Sequence, residues 1–299
     1  MGLSTVDAFK HVKAGIDLSP EQLSQLQIRL KEILCDFEDC CKKHGIDYFA
    51  GGGTALGAYR HQGFIPWDDD IDLTITREDF KRFVEVFPKE MGEKYILQTP
   101  QTRPDFGLLI ARIRLKNTSL RSREDLYNTD ECGVFIELFI VENTFDNPVL
   151  RAIHGIGSMG LMFCVSCRRY KRDLKQFLNI LEDPALAKTL RIKAAIGTLF
   201  SFMKLETWTR LADRWNGICK NNKSKLMTIP VGRLHFFGEI YPREMFYPPR
   251  PLPFEDTTVR CPNDTPGYLA HRYGPCYMTP PPKDMNAREA HIYLPPLKI

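Results

Sequence analysis

Residues 48–75 read YFAGGGTALGAYRHQGFIPWDDDIDLTI and contain the clearest pattern of secondary structure in the chain. It begins within a short apolar run, 46–50, that favours a strand. Three glycines, Gly51 to Gly53, follow, and residues 54–59 have the composition of one or two helical turns. The run 70–75 then alternates apolar and polar side chains, which is the period of a strand. A strand, a glycine turn, a short helix and a second strand in this order predict an α/β unit.

The second strand of this stretch is unusually acidic. Asp68, Asp69, Asp70 and Asp72 fall within five positions, and four carboxylates are costly to crowd together without a cation. Alternation along a strand puts Asp70 and Asp72 on one face, about 6–7 Å apart, with Ile71 on the other. Carboxylate oxygens at that spacing suit a divalent cation, and Mg²⁺ or Mn²⁺ is the expected ion.

The glycine turn supplies the complementary half of a site. Because Gly51 to Gly53 have no Cβ atoms, their backbone N–H groups can approach a phosphate, and the start of a helix favours its negative charge. Gly53 and Asp70 are 17 positions apart. A glycine turn and an acidic strand are each weak signals, but together they predict a site for a phosphate–metal complex.

A third carboxylate, Glu137, interrupts the apolar run 134–140. A single glutamate in a buried strand is costly unless it is paired or binds a cation. Beside the acidic strand, we interpret it as a metal ligand or a general base. The alternative is a glutamate on the outward face of a half-exposed strand.

The whole chain is predicted to divide into three segments. An α/β core is predicted over 1–145, with a first helix from its Ser19 cap to Gly45. A basic helical segment is predicted over 146–225. An arm packed on the core is predicted over 226–299, where 14 of the 21 prolines exclude long regular elements. Further strands of the core are predicted over 95–98, 108–115 and 133–141.

Composition limits the class of protein. The 299 residues are 43% hydrophobic and 26% charged, as expected for a globular protein. A net charge of +4 gives no support to general nucleic-acid binding. Nine cysteines without framework spacing predict reduced thiols and a cytoplasmic location. The charge is uneven, however, because residues 151–205 hold ten Lys and Arg but three Asp and Glu.

The basic segment contains 16 consecutive residues, 152–167, without a charged side chain. That length falls short of the roughly 20 residues that span a bilayer. A buried core helix is the expected structure. The alternative is an interfacial helix on the inner membrane surface, since the flank from Arg168 to Arg172 is basic.

With these features established, the sequence resembles the LicD family of phosphotransferases, which includes fukutin and the fukutin-related protein. The resemblance is carried by nearly every residue from Gly52 to Asp72. Two later pieces also resemble the family, Ile136 to Phe139 and Tyr268 to Gly274, the latter followed by Met278 to Pro282. Together they cover roughly residues 22–145 and 236–292.

The family is similar to the nucleotidyltransferase superfamily, which implies a mixed sheet with flanking helices. It also implies transfer of a phospho-alcohol, phosphocholine first and phosphoribitol second, from a CDP-linked donor. The acceptor would be a hydroxyl of a cell-surface glycan, such as teichoic acid or lipopolysaccharide, or of its lipid-linked precursor. Our hypothesis gives a role to each residue of the site. Asp70, Asp72 and Glu137 are the catalytic metal ligands, and Gly52, Gly53 and Thr54 bind phosphate oxygens. Arg60 and His61 supply positive charge near the leaving group, and Asp68 and Asp69 support the site. Arg112 and Arg114 are weaker candidates, for which the alternative is a charge on a solvated edge.

Three other functions share part of this pattern. A nucleotidyltransferase would use the same strand but move the nucleoside monophosphate. An inactive, glycan-binding relative would lack the metal, which the three carboxylates argue against. A glycosyltransferase with an acidic motif would need a longer nucleotide-binding region than the 69 residues before Asp70.

Overall fold

The computed structural model describes residues 18–126, 132–181, 183–280 and 293–299. Its first helix begins and ends where the sequence predicts. Ser19 accepts a hydrogen bond from the backbone N–H of Gln22, whose side chain in turn accepts from Ser19, and Gly45 closes the helix in the left-handed conformation. One face of the helix is apolar and buried, because its leucines recur at helical spacing.

A mixed sheet of seven strands forms the centre of the fold. Five strands follow in the order β1-β2-β6-β4-β3, and β7 and β8 extend the far end of β6. Only β2 and β6 run parallel, and the other neighbours are antiparallel. Two smaller pairs, β9 with β10 and β5 with β11, lie outside this sheet. The strands are β1 (Tyr48–Ala50), β2 (Asp72–Thr76), β3 (Tyr95–Gln98), β4 (Ala111–Leu115), β5 (Ser119–Ser122), β6 (Phe135–Asn143), β7 (Leu226–Thr228), β8 (Ile240–Pro242), β9 (Arg250–Phe254), β10 (Thr257–Cys261) and β11 (Tyr293–Lys298).

Helices flank the sheet and fill the middle of the chain. α4, α5 and α6 form the helical segment that the sequence predicts, and the mixed α/β class is confirmed. The helices are α1 (Pro20–His44), α2 (Gly52–His61), α3 (Arg77–Glu90), α4 (Pro148–Ile180), α5 (Pro184–Leu199), α6 (Leu205–Asn216), α7 (His235–Gly238), α8 (Arg243–Phe246) and α9 (Thr265–Tyr273).

The two faces of the sheet differ in chemistry. One face carries apolar side chains that are fully buried in the main core, which also receives α1 and α3. The opposite face of β2, β6 and β4 carries polar and charged side chains. The apolar face consists of Leu73, Ile75, Ile113, Ile136 and Leu138. This difference follows from period-two alternation and leaves one face of the sheet for chemistry.

The proline-rich segment packs on the core. Its elements are short, and Phe246, Phe254, Tyr268 and Tyr293 lie in the same hydrophobic cluster as α1 and the sheet. Residues 281–292, which include Pro281 and Pro282 of the family resemblance, lie outside the described residues.

Two sequence-based boundaries need correction. β2 begins at Asp72 rather than Asp70, although the carbonyl of Ile71 already accepts from Glu137 N–H at 3.0 Å. The apolar run 152–167 belongs to the 33-residue helix α4. Among the described residues, α4 is the one helix long and apolar enough to cross a membrane, by length and composition alone, and only 22% of its apolar window is buried. The expectation of a buried core helix was therefore wrong.

Candidate active site

A polar row crosses four strands at the start of β2. Asp72 is in register with Glu137 on β6, Glu137 with Arg112 on β4, and Arg112 with Gln98 on β3. Residues in register project from the same face of a sheet. The sheet therefore brings Asp72 and Glu137, two of the three predicted carboxylates, side by side on neighbouring strands.

The glycine turn lies directly against the end of this row. Gly51 N–H donates to the carbonyl of Asp72 at 2.9 Å, and the hydroxyl of Thr54 accepts from the N–H of Asp72 at 2.9 Å. Both bonds fix the backbone of Asp72 to the turn. The Thr54 hydroxyl, predicted to bind a phosphate oxygen, thus has a structural partner within the protein.

Gly52 is required at its position for two reasons. Its φ is +44°, a conformation that favours glycine, and an added Cβ would lie 3.2 Å from Oδ2 of Asp72 and 3.4 Å from Nη2 of Arg272. The carboxylate and the guanidinium therefore flank Gly52 closely. Its N–H donates to the hydroxyl of Tyr268 at 3.1 Å, so Tyr268 on α9 also supports the turn.

Arg272, also on α9, is the cation at this turn. Its Nη1 donates to Oε1 of Glu239 at 2.7 Å, and Glu239 is fully buried. Burial opposes the charge, but Tyr268 and Glu239 outweigh it and raise the pKa of Arg272. Its Nε is buried and has no hydrogen-bond partner among the described residues. A fixed guanidinium with an unused donor beside a glycine turn is suited to an anion such as phosphate.

The second half of the turn faces Asp68. A Cβ added at Gly53 would lie 2.7 Å from Oδ2 of Asp68, so only glycine allows this approach. Arg60 follows two turns later on the same face of α2, and Asp68 partly offsets the lowering of its pKa by burial. His61 contacts Arg60 at 3.4 Å, and burial followed by the charge of Arg60 lowers its pKa. Asp68 therefore lies close to both the glycine turn and Arg60. His61 contacts Arg60.

Glu137 forms an ion pair that the sequence did not predict. Nε and Nη2 of Arg112 donate to its Oε1 at 2.9 and 2.7 Å, and Arg112 stacks on Phe135 at 4.2 Å. Arg112 and Arg114 are buried, which contradicts the interpretation of a charge on a solvated edge. Burial opposes the charge of Arg112, but Glu137, Asp125 and Glu124 outweigh it and raise its pKa.

The two remaining predicted residues precede β2. Asp70 is half-buried immediately before the strand. Asp69 is buried, and its backbone carbonyl accepts from the hydroxyl of Tyr293 at 3.3 Å. Tyr293 lies close enough to Asp69, Asp70 and Glu137 for their charges to contribute, after burial, to its raised pKa. The acidic run and the polar row are therefore neighbours.

The donor set suits a divalent cation that is bound jointly with phosphate. No group of three or more His, Cys, Asp or Glu side chains is placed to hold a metal in the described ranges. Mg²⁺, however, commonly takes one or two protein carboxylates together with substrate phosphates and water. Asp70 and Asp72, beside a turn at which Arg272 has an unused donor, fit that mode.

Sequence reasoning missed Arg272 and Glu239 as site residues. Arg272 lies in the run Tyr268 to Gly274, which was recognised only as part of a family pattern. The spacing of Tyr268 and Arg272, one helical turn, does not predict that Arg272 lies beside Gly52.

The comparisons with known proteins agree on this region. The family model described as "LicD/FKTN/FKRP, nucleotidyltransferase domain" matches residues 45–107, which contain the glycine turn and the acidic strand. The resemblance deduced from the sequence is thereby confirmed for this segment. Strands β4 and β6, which complete the row, and helix α9, which supports the turn, lie beyond the match.

Several curated proteins are similar over the same region. The "Lipopolysaccharide cholinephosphotransferase LicD" of Haemophilus influenzae is 40% identical over 84 residues, 26% of this chain and 32% of the relative. The human "Ribitol 5-phosphate transferase FKRP" is 44% identical over 48 residues, 16% of this chain and 10% of the relative. The mouse "Ribitol-5-phosphate transferase FKTN" is 36% identical over 64 residues, 21% of this chain and 14% of the relative. These matches span a third or less of each relative.

Proposed function

We propose that this chain, whose residues 45–107 match the nucleotidyltransferase domain of the LicD, FKTN and FKRP proteins, transfers a phospho-alcohol from a CDP-linked donor to a glycan hydroxyl. The observation that carries the proposal is the convergence of Asp72 and Arg272 on Gly52 within and beside the matched segment. A carboxylate and a guanidinium that meet at one glycine turn are parts that a metal-bound diphosphate needs. Relatives named as transferases of choline phosphate and ribitol phosphate support this chemistry.

The proposed step is a displacement at the phosphorus that carries the alcohol. The acceptor oxygen forms a bond to that phosphorus, the bond to the bridging oxygen breaks, and CMP leaves with the electron pair. A Mg²⁺ or Mn²⁺ ion, when bound, would neutralise the negative charge of the diphosphate. Asp70 and Asp72 would hold it, and Nε and Nη2 of Arg272 would bind a phosphate oxygen. Glu137 stays in the proposal as the third carboxylate, as a metal ligand or as the acceptor of the hydroxyl proton.

We take phosphocholine as the leading group, because the relative with 40% identity is named a cholinephosphotransferase. The full chain with MgCl₂ would be incubated with CDP-choline, CDP-ribitol, CDP-glycerol and CDP-ethanolamine in separate reactions. Water and glycerol serve as generic acceptors, and released nucleotides are separated by chromatography. We expect CMP from one donor well above the others. If no donor releases CMP, the proposal is contradicted. In a separate reaction with CTP, release of pyrophosphate would favour nucleotidyl transfer instead.

Arg272→Gln is expected to lower kcat/KM for the preferred donor by about 10²-fold, because a preorganised cationic donor at a phosphate is typically worth that much. The side chain also pairs with buried Glu239, so folding must be checked by thermal unfolding. Arg272→Lys keeps the positive charge but loses the paired N–H donors of the guanidinium. We expect this variant to fold and to have a higher KM for the donor.

The matched control for Arg272 is Arg29→Gln, which removes a half-exposed arginine paired with Glu32 on α1 and should leave kinetics unchanged. A folded Arg272→Lys enzyme with the wild-type KM and kcat would show that Arg272 only supports Glu239.

A further inference from the structure

The first half of α4 presents an uncovered apolar stripe to solvent. Val149, Ile153, Ile156 and Phe163 are 65%, 54%, 67% and 46% exposed. Their spacing of four, three and seven residues places them on one face of the helix. Gly160, which falls in the same stripe, has open space where a Cβ would be. The stripe is about 21 Å long at 1.5 Å per residue.

The stripe is bare because α5 stops short of it. In the second half of α4 the same face is covered, since an added Cβ at Gly197 of α5 would lie 2.3 Å from the carbonyl of Cys167. Arg168 Nη1 donates to Ser201 Oγ at 2.9 Å just after α5 ends. Beyond that point, towards the N-terminus of α4, α5 no longer covers this face of the helix. The end of α5 adds two more apolar side chains, Leu199 and Phe202, which are 74% and 73% exposed.

The opposite face of the same half of α4 is fixed to the protein by polar contacts. Nε2 of His154 lies 3.0 Å from the carbonyl of Asn216, and the hydroxyl of Ser158 donates to Oδ1 of Asn216 at 2.6 Å. Trp215 Nε1 donates to the carbonyl of His154 at 2.9 Å. A helix with one side held in this way cannot be surrounded by lipid. Its apolar side is the side left free to lie against another surface.

The helical segment that contains the stripe is positively charged. Residues 151–205 carry ten Lys and Arg against three Asp and Glu. Lys188 and Arg191 are exposed on α5, and Lys204 is exposed just after Phe202. An apolar stripe within a basic helical segment has the composition of a helix that lies in the interface of an anionic membrane.

We propose that α4 and the end of α5 form a membrane-docking surface that binds the face of an anionic phospholipid bilayer. The stripe from Val149 to Phe163 inserts to the boundary between headgroups and acyl chains, about 5–10 Å deep. The lysines and arginines of α5 stay at the level of the phosphate groups. The transferase proposal is not needed for this inference, because the docking surface shares no residue with the glycine turn or the polar row.

Sedimentation with sucrose-loaded vesicles tests this surface. The full chain is mixed with vesicles of phosphatidylcholine alone, or of phosphatidylcholine with a minority of phosphatidylglycerol. We expect binding to the anionic vesicles that weakens with salt. Ile156→Glu should lower the partition coefficient by about tenfold or more, because a charge replaces a side chain that inserts. Lys188→Glu with Arg191→Glu should lower binding to the anionic vesicles.

Ile28→Glu is the matched control, since Ile28 is 58% exposed but lies on α1; it should bind as the wild type does. The proposal is overturned if the wild type binds neither kind of vesicle, or if Ile156→Glu and Ile28→Glu lose binding equally. Light scattering tests the alternative that a second copy of the chain covers the stripe. If the wild type is a dimer that does not bind vesicles, and Ile156→Glu dissociates it, the stripe is a dimer interface.

Discussion

Asp72→Asn is expected to lower turnover of the preferred donor by about 10²–10³-fold, the typical cost of removing one preorganised electrostatic group from an active site. The carboxylate lies beside Gly52 and next to Glu137 in register. Asparagine has nearly the same shape but no negative charge, so it weakens a divalent cation without creating a cavity. The measurement is CMP release at saturating donor over a range of MgCl₂ concentrations.

The fold should survive this substitution. The structural bonds of Asp72 are made by its backbone, to Gly51 and to the hydroxyl of Thr54, and asparagine keeps both. Asp256→Asn is the control, because its side chain is 75% exposed and its partner is Lys31. If folded Asp72→Asn turned over donor as fast as Asp256→Asn at every MgCl₂ concentration, the assignment of Asp72 to the metal would be wrong.

Local elements of the fold were predictable because their signals are local. Ser19, Gln22 and Gly45 specify the ends of α1 within a few residues of each bond they make. Thr76 likewise caps α3 through the N–H of Asp79. Alternation also predicted which face of β2 is apolar. In each case the partner atoms are close in sequence, so the pattern contains the whole interaction.

Strand order was not predictable from such patterns, and the error at Arg112 and Arg114 follows from it. The alternative of two arginines on a solvated edge is wrong, because β4 lies between β6 and β3, where both side chains are buried. The arginines are tolerated there because Glu137 and Asp125 pair with them at 2.7 Å. Burial of a charge depends on partners from other strands, which sequence spacing does not show.

The same reason explains which part of the site was found. The glycine turn, Asp70 and Asp72 lie within one short stretch and were predicted together. Arg272 reaches Gly52 only because α9 packs against α2 through Tyr268, 216 positions after Gly52. Its role depends on the path of the proline-rich arm, and no local pattern specifies that path.

Arg112→Gln is expected to lower the free energy of unfolding by about 3–5 kcal/mol, since it leaves a buried carboxylate without its counter-charge. Glu137 loses both hydrogen bonds to Oε1, and Asp125 loses a cation at 3.7 Å. Urea unfolding followed by tryptophan fluorescence measures the change. Arg82→Gln, at a half-exposed pair with Asp79, should cost about 1 kcal/mol or less. Equal losses in the two variants would refute the buried network.

The Arg112→Gln protein also tests a metal-ligand role of Glu137 against a purely structural role as the partner of Arg112. Without Arg112, Glu137 and Asp72 lie side by side on parallel strands. The guanidinium that offsets the negative charge of Glu137 is then gone. Two adjacent carboxylates bind Mg²⁺ more tightly than one, and a ligand that binds only the folded state raises its stability. We therefore expect MgCl₂ to raise the thermal midpoint of Arg112→Gln more than that of the wild type, and NaCl of equal ionic strength to have a smaller effect. An equal response to both salts would remove Glu137 from the metal site and leave it as the anchor of Arg112.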